Sequence, residues 1–261
     1  MATMVQLRRG LNATTIPDDI TEVLLDGASP LWLSSDDAAQ LAIDLALCYP
    51  ALKPKEVRAR VASSGEDAWR LTVVAHDRTG LVADAASILS ARDYHVRAAS
   101  VATWAQFTLA LVAITLSGPA PSEDELDEIG VALRAANDGV VPLIPFSPIG
   151  RAYVSHAGAA NGDPMITVVA PGQKGLLATI CRWFADGGAS IEAAWIVGED
   201  EANDVFVIKG EVDLPGLERK LTAEDESFAT AIGGVVDQAR DVGETIVRGA
   251  LSFLRDLVAR K

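Results

Sequence analysis

Apolar positions along the chain switch between a period of two and a period of three to four, and the switches recur in the same order twice. Trp69 to Ala75 is a β-prone run bounded by the polar stretch His76 to Thr79, which predicts a strand. Beyond it, Leu81, Ala85, Ile88 and Leu89 fall at helical spacing and predict a helix that opens at Gly80 and ends near Arg92-Asp93. Tyr94 to Thr103 and Phe107 to Leu116 then read as two strands around the tip Trp104-Ala-Gln-Phe107. Pro121-Ser122, acidic Glu123, Asp124 and Glu125, and apolar Leu126, Ile129, Val131 and Leu133 predict a helix over 123–136, and Val140 to Ile144 is expected to add a last strand. Ala98 to Ser122 carries no charge and is long enough to cross a bilayer, which takes about 20 residues. Thr103, Gln106, Thr108, Thr115 and Ser117 interrupt it, so it is read as two buried strands.

A second series repeats the order. Met165 to Ala170 predicts a strand, and Leu176, Ile180, Trp183 and Phe184 predict a helix that opens at Gly175 and stops at Gly187-Gly188. Ala189 to Val197 and Asp204 to Glu211 follow as strands around the polar turn Gly198 to Asn203, then Leu214 to Leu221 as a short helix. The repetition extends to residue identity. Thr72-Val-Val-Ala75 recurs 95 residues on as Thr167-Val-Val-Ala170, and without a gap Gly80-Leu81 falls on Gly175-Leu176, Ala83 on Ala178 and Ala98-Ala99 on Ala193-Ala194. Nine of the 31 positions from Leu71 to Val101 are identical at this offset, where about two would coincide by chance at ordinary residue usage. The chain therefore carries a duplicated module of β-α-β-β-α order. A split unit of this kind implies an α+β fold: two ferredoxin-like modules, each an antiparallel sheet with helices on one face.

The second copy has no closing strand after Glu211, which would leave its first strand unpaired at a sheet edge. A replacement precedes it. Arg151 to His156 is β-prone and is joined by Gly158-Ala-Ala-Asn-Gly-Asp163 to the Met165 strand. Ahead of the first copy, Glu56 to Ala62 alternates through Val57, Ala59 and Val61 and is joined by Ser63-Ser-Gly-Glu-Asp67 to the Trp69 strand. Each module is expected to begin with this added hairpin strand. The organisation is then a helical N-terminal segment over 1–55 with a helix from Ser35 to Cys48, modules over 56–148 and 149–222, and a helical tail over 223–261. From Ile246 onward that tail has amphipathic spacing, with Arg248, Arg255 and Arg260 among its polar positions, which suits packing against the body or a second subunit.

Charge removes several function classes. With 36 acidic against 22 basic side chains and a formal net charge of −14, the chain repels phosphates, so neither nucleic-acid binding nor attachment to anionic membranes is expected to be its task. Residues 1–10 lack the apolar core of a signal peptide, and Cys48 and Cys181 stand in apolar surroundings with no partner at metal-ligand spacing. Buried thiols in a reducing cytoplasm are the expectation. Three histidines, no nucleophile elbow, no phosphate loop and no Cys-x-x-Cys leave no basis for an enzyme, and no cofactor or metal is expected.

The strand ending Val-Val-Ala-His76-Asp77-Arg78-Thr79-Gly80-Leu81, with its helix and hairpin, resembles an ACT domain, a small regulatory module that commonly binds amino acids. Val169-Ala-Pro171-Gly172-Gln173-Lys174-Gly175-Leu176 resembles a second, with Gly172 where the family has aspartate. Pro30-Leu-Trp-Leu33, the helix after it and Pro50-Ala-Leu-Lys-Pro54 are similar to the linker into the paired ACT domains of bacterial protein-PII uridylyltransferases, without their catalytic domains. The resemblance implies a non-enzymatic sensor in nitrogen or amino-acid metabolism, with a small effector, an amino acid, at the turns His76, Asp77, Arg78, Thr79, Gly80, Leu81 and Pro171, Gly172, Gln173, Lys174, Gly175, Leu176. It also implies a homo-oligomer or a regulatory protein partner. The turns suit this chemistry in their own right, because a glycine at a helix start admits a ligand close to free N–H groups that favour a carboxylate. A purely structural turn would use the same glycine, and a module that only assembles, without an effector, is the alternative.

Overall fold

The computed structural model describes residues 3–65, 67–160, 162–196 and 201–223. It divides into two units, Met1–Leu143 and Ile144–Lys261. The first begins with four helices: α1 (Met4–Leu11), α2 (Asp18–Asp26), α3 (Pro30–Leu33) and α4 (Ala38–Ala46). Asp37 caps α4, its carboxylate accepting from Ala39 N and Gln40 N at 2.9 Å each, so this helix is shorter at both ends than its apolar pattern suggested. A Cβ on Gly10 of α1 would come within 2.8 Å of the Ala42 Cβ, so the close crossing of α1 over α4 depends on that glycine.

The sheet of this unit has the order β1-β2-β4-β3, from β1 (Arg58–Ser63), β2 (Ala68–His76), β3 (His95–Trp104) and β4 (Leu109–Ser117). Both β2 and β3 pair antiparallel to β4, so they are parallel to each other with β4 between them, joined by α5 (Leu81–Ala91). The uncharged stretch is thus strand, a short 3-10 turn over Ala105–Phe107, and strand; among the described residues no helix is long and apolar enough to cross a membrane. Glu123–Ala136 forms α6, where Ser122 and Glu125 make a reciprocal capping box. The expected strand at Val140 to Ile144 does not form, because β1 already pairs with β2 on the side where it would have added. The module therefore runs β-β-α-β-β-α.

Side chains alternate across β2. Arg70, Thr72 and Val74 face the N-terminal helices, whose Leu7, Leu11, Leu24, Leu25, Trp32, Leu41 and Leu45 form one core with Val74, Trp104 and Leu111. Leu71, Val73 and Ala75 alternate to the other face, that of α5 and α6. Trp104 ties the hairpin tip to α2: its indole N–H donates to Leu24 O at 3.0 Å, and no room is left for a Cβ on Gly27. Between helices and sheet lies a buried ion pair. Arg70 Nε donates to Asp44 Oδ2 at 2.8 Å, with Nη2 2.7 Å from the same oxygen, while Oδ1 accepts from Thr72 Oγ1 at 2.8 Å and Gln40 Nε2 at 2.9 Å. Arg70 Nη2 also donates to Ser35 Oγ at 3.1 Å.

The second unit repeats this with β5 (Tyr153–Ala160), β6 (Asp163–Pro171), α7 (Leu176–Asp186), β7 (Ser190–Trp195), β8 (Glu201–Lys209) and α8 (Leu214–Leu221), in the order β5-β6-β8-β7. The register repeats too: Ala59 pairs Val73 as Val154 pairs Val168, and an irregularity between Val96 and Ala98 recurs between Ile191 and Ala193. Each module does begin with the added edge strand. β5 continues to Ala160, so its link to β6 is two residues and not the longer loop expected; β8 starts at Glu201, within the expected polar turn. Val197 to Asp200 and the tail helix expected in 228–261 lie outside the described residues. Phe184 and Phe206 meet edge to face at 5.3 Å, fixing α7 on the sheet.

Both cysteines are buried, Cys48 beside the N-terminal core and Cys181 in α7. Burial pushes the Cys48 thiol up to about 12, and the Cys181 thiol up as well, first by desolvation and then by Asp204. A thiol raised on folding stabilises the native state below its unfolded value and loses that contribution as pH rises to the folded one. The urea midpoint is expected to fall between about pH 9 and 12, and less steeply in Cys48→Ala.

Removing Asp44 leaves the buried guanidinium of Arg70 with only the more distant Asp36 carboxylate, at 3.5 Å, and the Ser35 hydroxyl. Asp44→Ala is expected to cost about 3–5 kcal/mol in urea unfolding, whereas the double replacement Asp44→Leu with Arg70→Met, which removes both charges, should recover most of that loss.

Candidate functional site

In both modules the turn between the central strand and its helix ends on a left-handed glycine. Gly80 has φ 88° and Gly175 φ 86°, and each stands at the helix N-cap, where it has no side chain to cap the helix. That conformation costs other residues roughly 1–2 kcal/mol, which explains the two glycines without a ligand. An N-cap glycine also offers the helix N–H groups no side-chain acceptor of its own. Leu81 and Leu176, the first helical residues, are buried.

In the first turn the side chains are already engaged. His76 Nδ1 lies 3.3 Å from Thr108 O and Nε2 3.2 Å from Lys53 O, and Asp77 N donates to Thr108 O at 2.9 Å. Arg78 Nε donates to Asn137 Oδ1 at 3.2 Å, and its Nη2 is 2.5 Å from Asp84 Oδ2, a carboxylate 2% exposed in the first turn of α5. The turn thus gathers the hairpin tip, the start of α5, the end of α6 and the segment before β1. Asp77 and Thr79 are exposed, His76, Arg78 and Gly80 half-buried.

The second turn has the same backbone and other side chains. Arg78 and Asp84 are replaced, 95 residues on, by Gln173 and Thr179, so the ion pair has no counterpart. Lys174 is exposed, Pro171, Gly172 and Gln173 half-buried, and Gly175 fully buried. A Cβ on Gly175 would lie 2.8 Å from Ile144 Cγ2 and 3.1 Å from Pro145 O; a Cβ on Gly150 would lie 2.8 Å from Pro171 Cγ. The close approach expected of a ligand at this glycine is made here by residues of the chain itself.

The topology requires this. β1 enters antiparallel to β2 with Arg58 opposite Val74, so the residues before it arrive where β2 ends and the turn begins; Tyr153 opposite Val169 does the same for 144–150. In the first module Arg58 Nη1 donates to Leu47 O and Pro50 O at 2.7 Å each, and Glu56 accepts from Lys53 N at 2.8 Å and Arg58 Nε at 2.8 Å. Arg58, and then the Lys53 N–H, hold the Glu56 carboxyl below its usual range. Lys53, Thr108, Asp84, Asn137, Ile144 and Pro145 were not among the residues expected at the turns. The one sequence trace of this lining is Pro145, which stands 95 residues after Pro50. Among the described residues, no three His, Cys, Asp or Glu side chains are gathered where they could hold a metal ion.

No protein-family model matches the chain, and no curated protein matches it. Among solved structures, one described as an unknown protein from Galdieria sulphuraria is similar at 18% identity and a TM-score of 0.23, covering 66% of this chain and 92% of that one.

Gly80→Ala is expected to lower stability by about 1–2 kcal/mol through left-handed strain alone. Gly175→Ala should cost more, because its methyl must also displace Ile144; paired chemical denaturation curves measure the difference.

Proposed function

We propose that the chain is a non-enzymatic regulatory sensor built on two ACT-like, ferredoxin-like modules, with a small carboxylate effector, an amino acid, as its ligand. The observation that carries this reading is the repeated turn: a left-handed glycine, with no side chain to cap the helix, at the N-cap of each central helix. Such an end attracts a carboxylate through its N–H groups and the positive end of the helix dipole. In the first copy Asp77 is exposed and near enough in sequence to take the effector's ammonium group. Binding there would bear on His76 and Arg78, and through Lys53, Thr108 and Asn137 on three other elements, which gives an effector the differential contacts a population shift needs. The strand order β1-β2-β4-β3 also supports the reading, since an edge strand moved from the end of the module to its start preserves the ferredoxin-like sheet.

A second reading, an effector-free assembly module whose partner is a second copy or a regulatory protein, is favoured by one observation. The polar side chains His76 and Arg78 already face groups of the chain, so the turn is held together without a ligand.

Thermal unfolding with each common amino acid at millimolar concentration separates the two. A ligand at 100 times its Kd adds about 2.7 kcal/mol, or roughly 5–10 °C in a domain of this size. The sensor is expected to shift with one or a few amino acids and to lose the shift in Asp77→Ala; an unchanged midpoint with all of them leaves the assembly module.

A further inference from the structure

The two turns share a backbone but not an environment. In the second module the segment Ile144–Gly150 runs alongside the turn, touching it at two points: Ile144 and the Pro145 carbonyl at Gly175, and Gly150 at Pro171. The far end of this strap is fastened. Ala223 N donates to Gly150 O at 2.8 Å, Ala152 N to Thr222 Oγ1 at 3.1 Å and Val154 N to Glu218 Oε2 at 3.0 Å, so α8 holds the residues on either side of the entry to β5. Ile144, Phe146 and Pro148 are half-buried while Leu143, Pro145, Ser147 and Ile149 are exposed, the alternation of an extended segment lying on a surface. Gly175 is buried beneath it, whereas Gly80 is half-exposed.

We propose that Ile144–Gly150 is a built-in cover of the second turn, its Ile144 side chain and Pro145 backbone filling the space beside Gly175 through which a ligand would approach, so that the chain has one effector site, at Gly80. The part of this that concerns effector number rests on the sensor reading; the seating of the strap does not. Gly175 is glycine for two reasons at once, its φ and the space Ile144 takes, while Gly80 has its φ in common. Effector specificity is then confined to His76, Asp77, Arg78 and Thr79, and the divergence at Gln173 and Lys174 has no ligand to constrain it.

Amide hydrogen exchange on the full chain tests the strap without any effector. Ile144→Gly is expected to raise exchange at residues 175–178 at least tenfold and to leave β6 and β8 as in the wild type. Ile144→Ala, which removes less, should move the same amides in the same direction if the glycine variant does not fold. Unchanged exchange at 175–178 in a folded variant overturns the proposal. Titration calorimetry with each common amino acid in turn then counts sites: one per wild-type chain and two per Ile144→Gly chain are expected, and two in the wild type overturn it. Binding of none to either protein ends the sensor reading, and the exchange result alone then decides on the strap.

Discussion

Each edge strand precedes the split unit it completes, and the placement of every candidate residue follows from that. Because β1 and β5 come first and run antiparallel to β2 and β6, the chain must reach them past that turn. The segment that leads in is therefore a wall of the turn in both modules, however its residues vary. Lys53 O meets His76 in one, and Ile144 and Pro145 meet Gly175 in the other.

The first unit adds a second constraint, since its sheet is covered on both faces. A sheet buried on both faces asks for apolar residues throughout, yet Arg70 and Thr72 sit in the middle of β2. Asp44 resolves this by accepting from Arg70, Thr72 and Gln40 at once, so that the ion pair is paired and hydrogen-bonded on all sides. The repeat makes the dependence visible. The residue 95 beyond Arg70 is Met165, buried and without charge, and Thr167 keeps the hydroxyl with no hydrogen-bond partner. Arginine is thus specific to the copy that the helix bearing Asp44 covers.

Much of the fold was legible because it rests on short-range signals. Glu123–Ala136 and Leu214–Leu221 could be bounded to the residue, since Ser122 with Glu125, and Asp213 before a proline, announce helix starts chemically. The left-handed residue after α5 is Asp93 and its counterpart after α7 is Gly188, a correspondence the offset carries although the residue types differ. Where tertiary pairing decided, pattern failed. Val140 to Ile144 is apolar enough for a strand, but the position is taken by β1, and nothing local to those residues reveals that competition. The candidate turns were found by their glycines, and the residues that line them were missed because Lys53, Thr108 and Asn137 contribute a backbone carbonyl or one side-chain oxygen each, from separate elements.

The duplication separates what the backbone needs from what chemistry a copy retains. Positions identical at the offset include the β-branched and small residues of the central strand, the N-cap glycine and the first buried helical leucine. Among the positions that differ are all four between strand and glycine, where His76, Asp77, Arg78 and Thr79 stand opposite Pro171, Gly172, Gln173 and Lys174. In the first copy His76 and Arg78 are tied to Thr108, Lys53, Asn137 and Asp84, whereas their counterparts Pro171 and Gln173 carry no charge. The asymmetry lies in side chains and not in the fold.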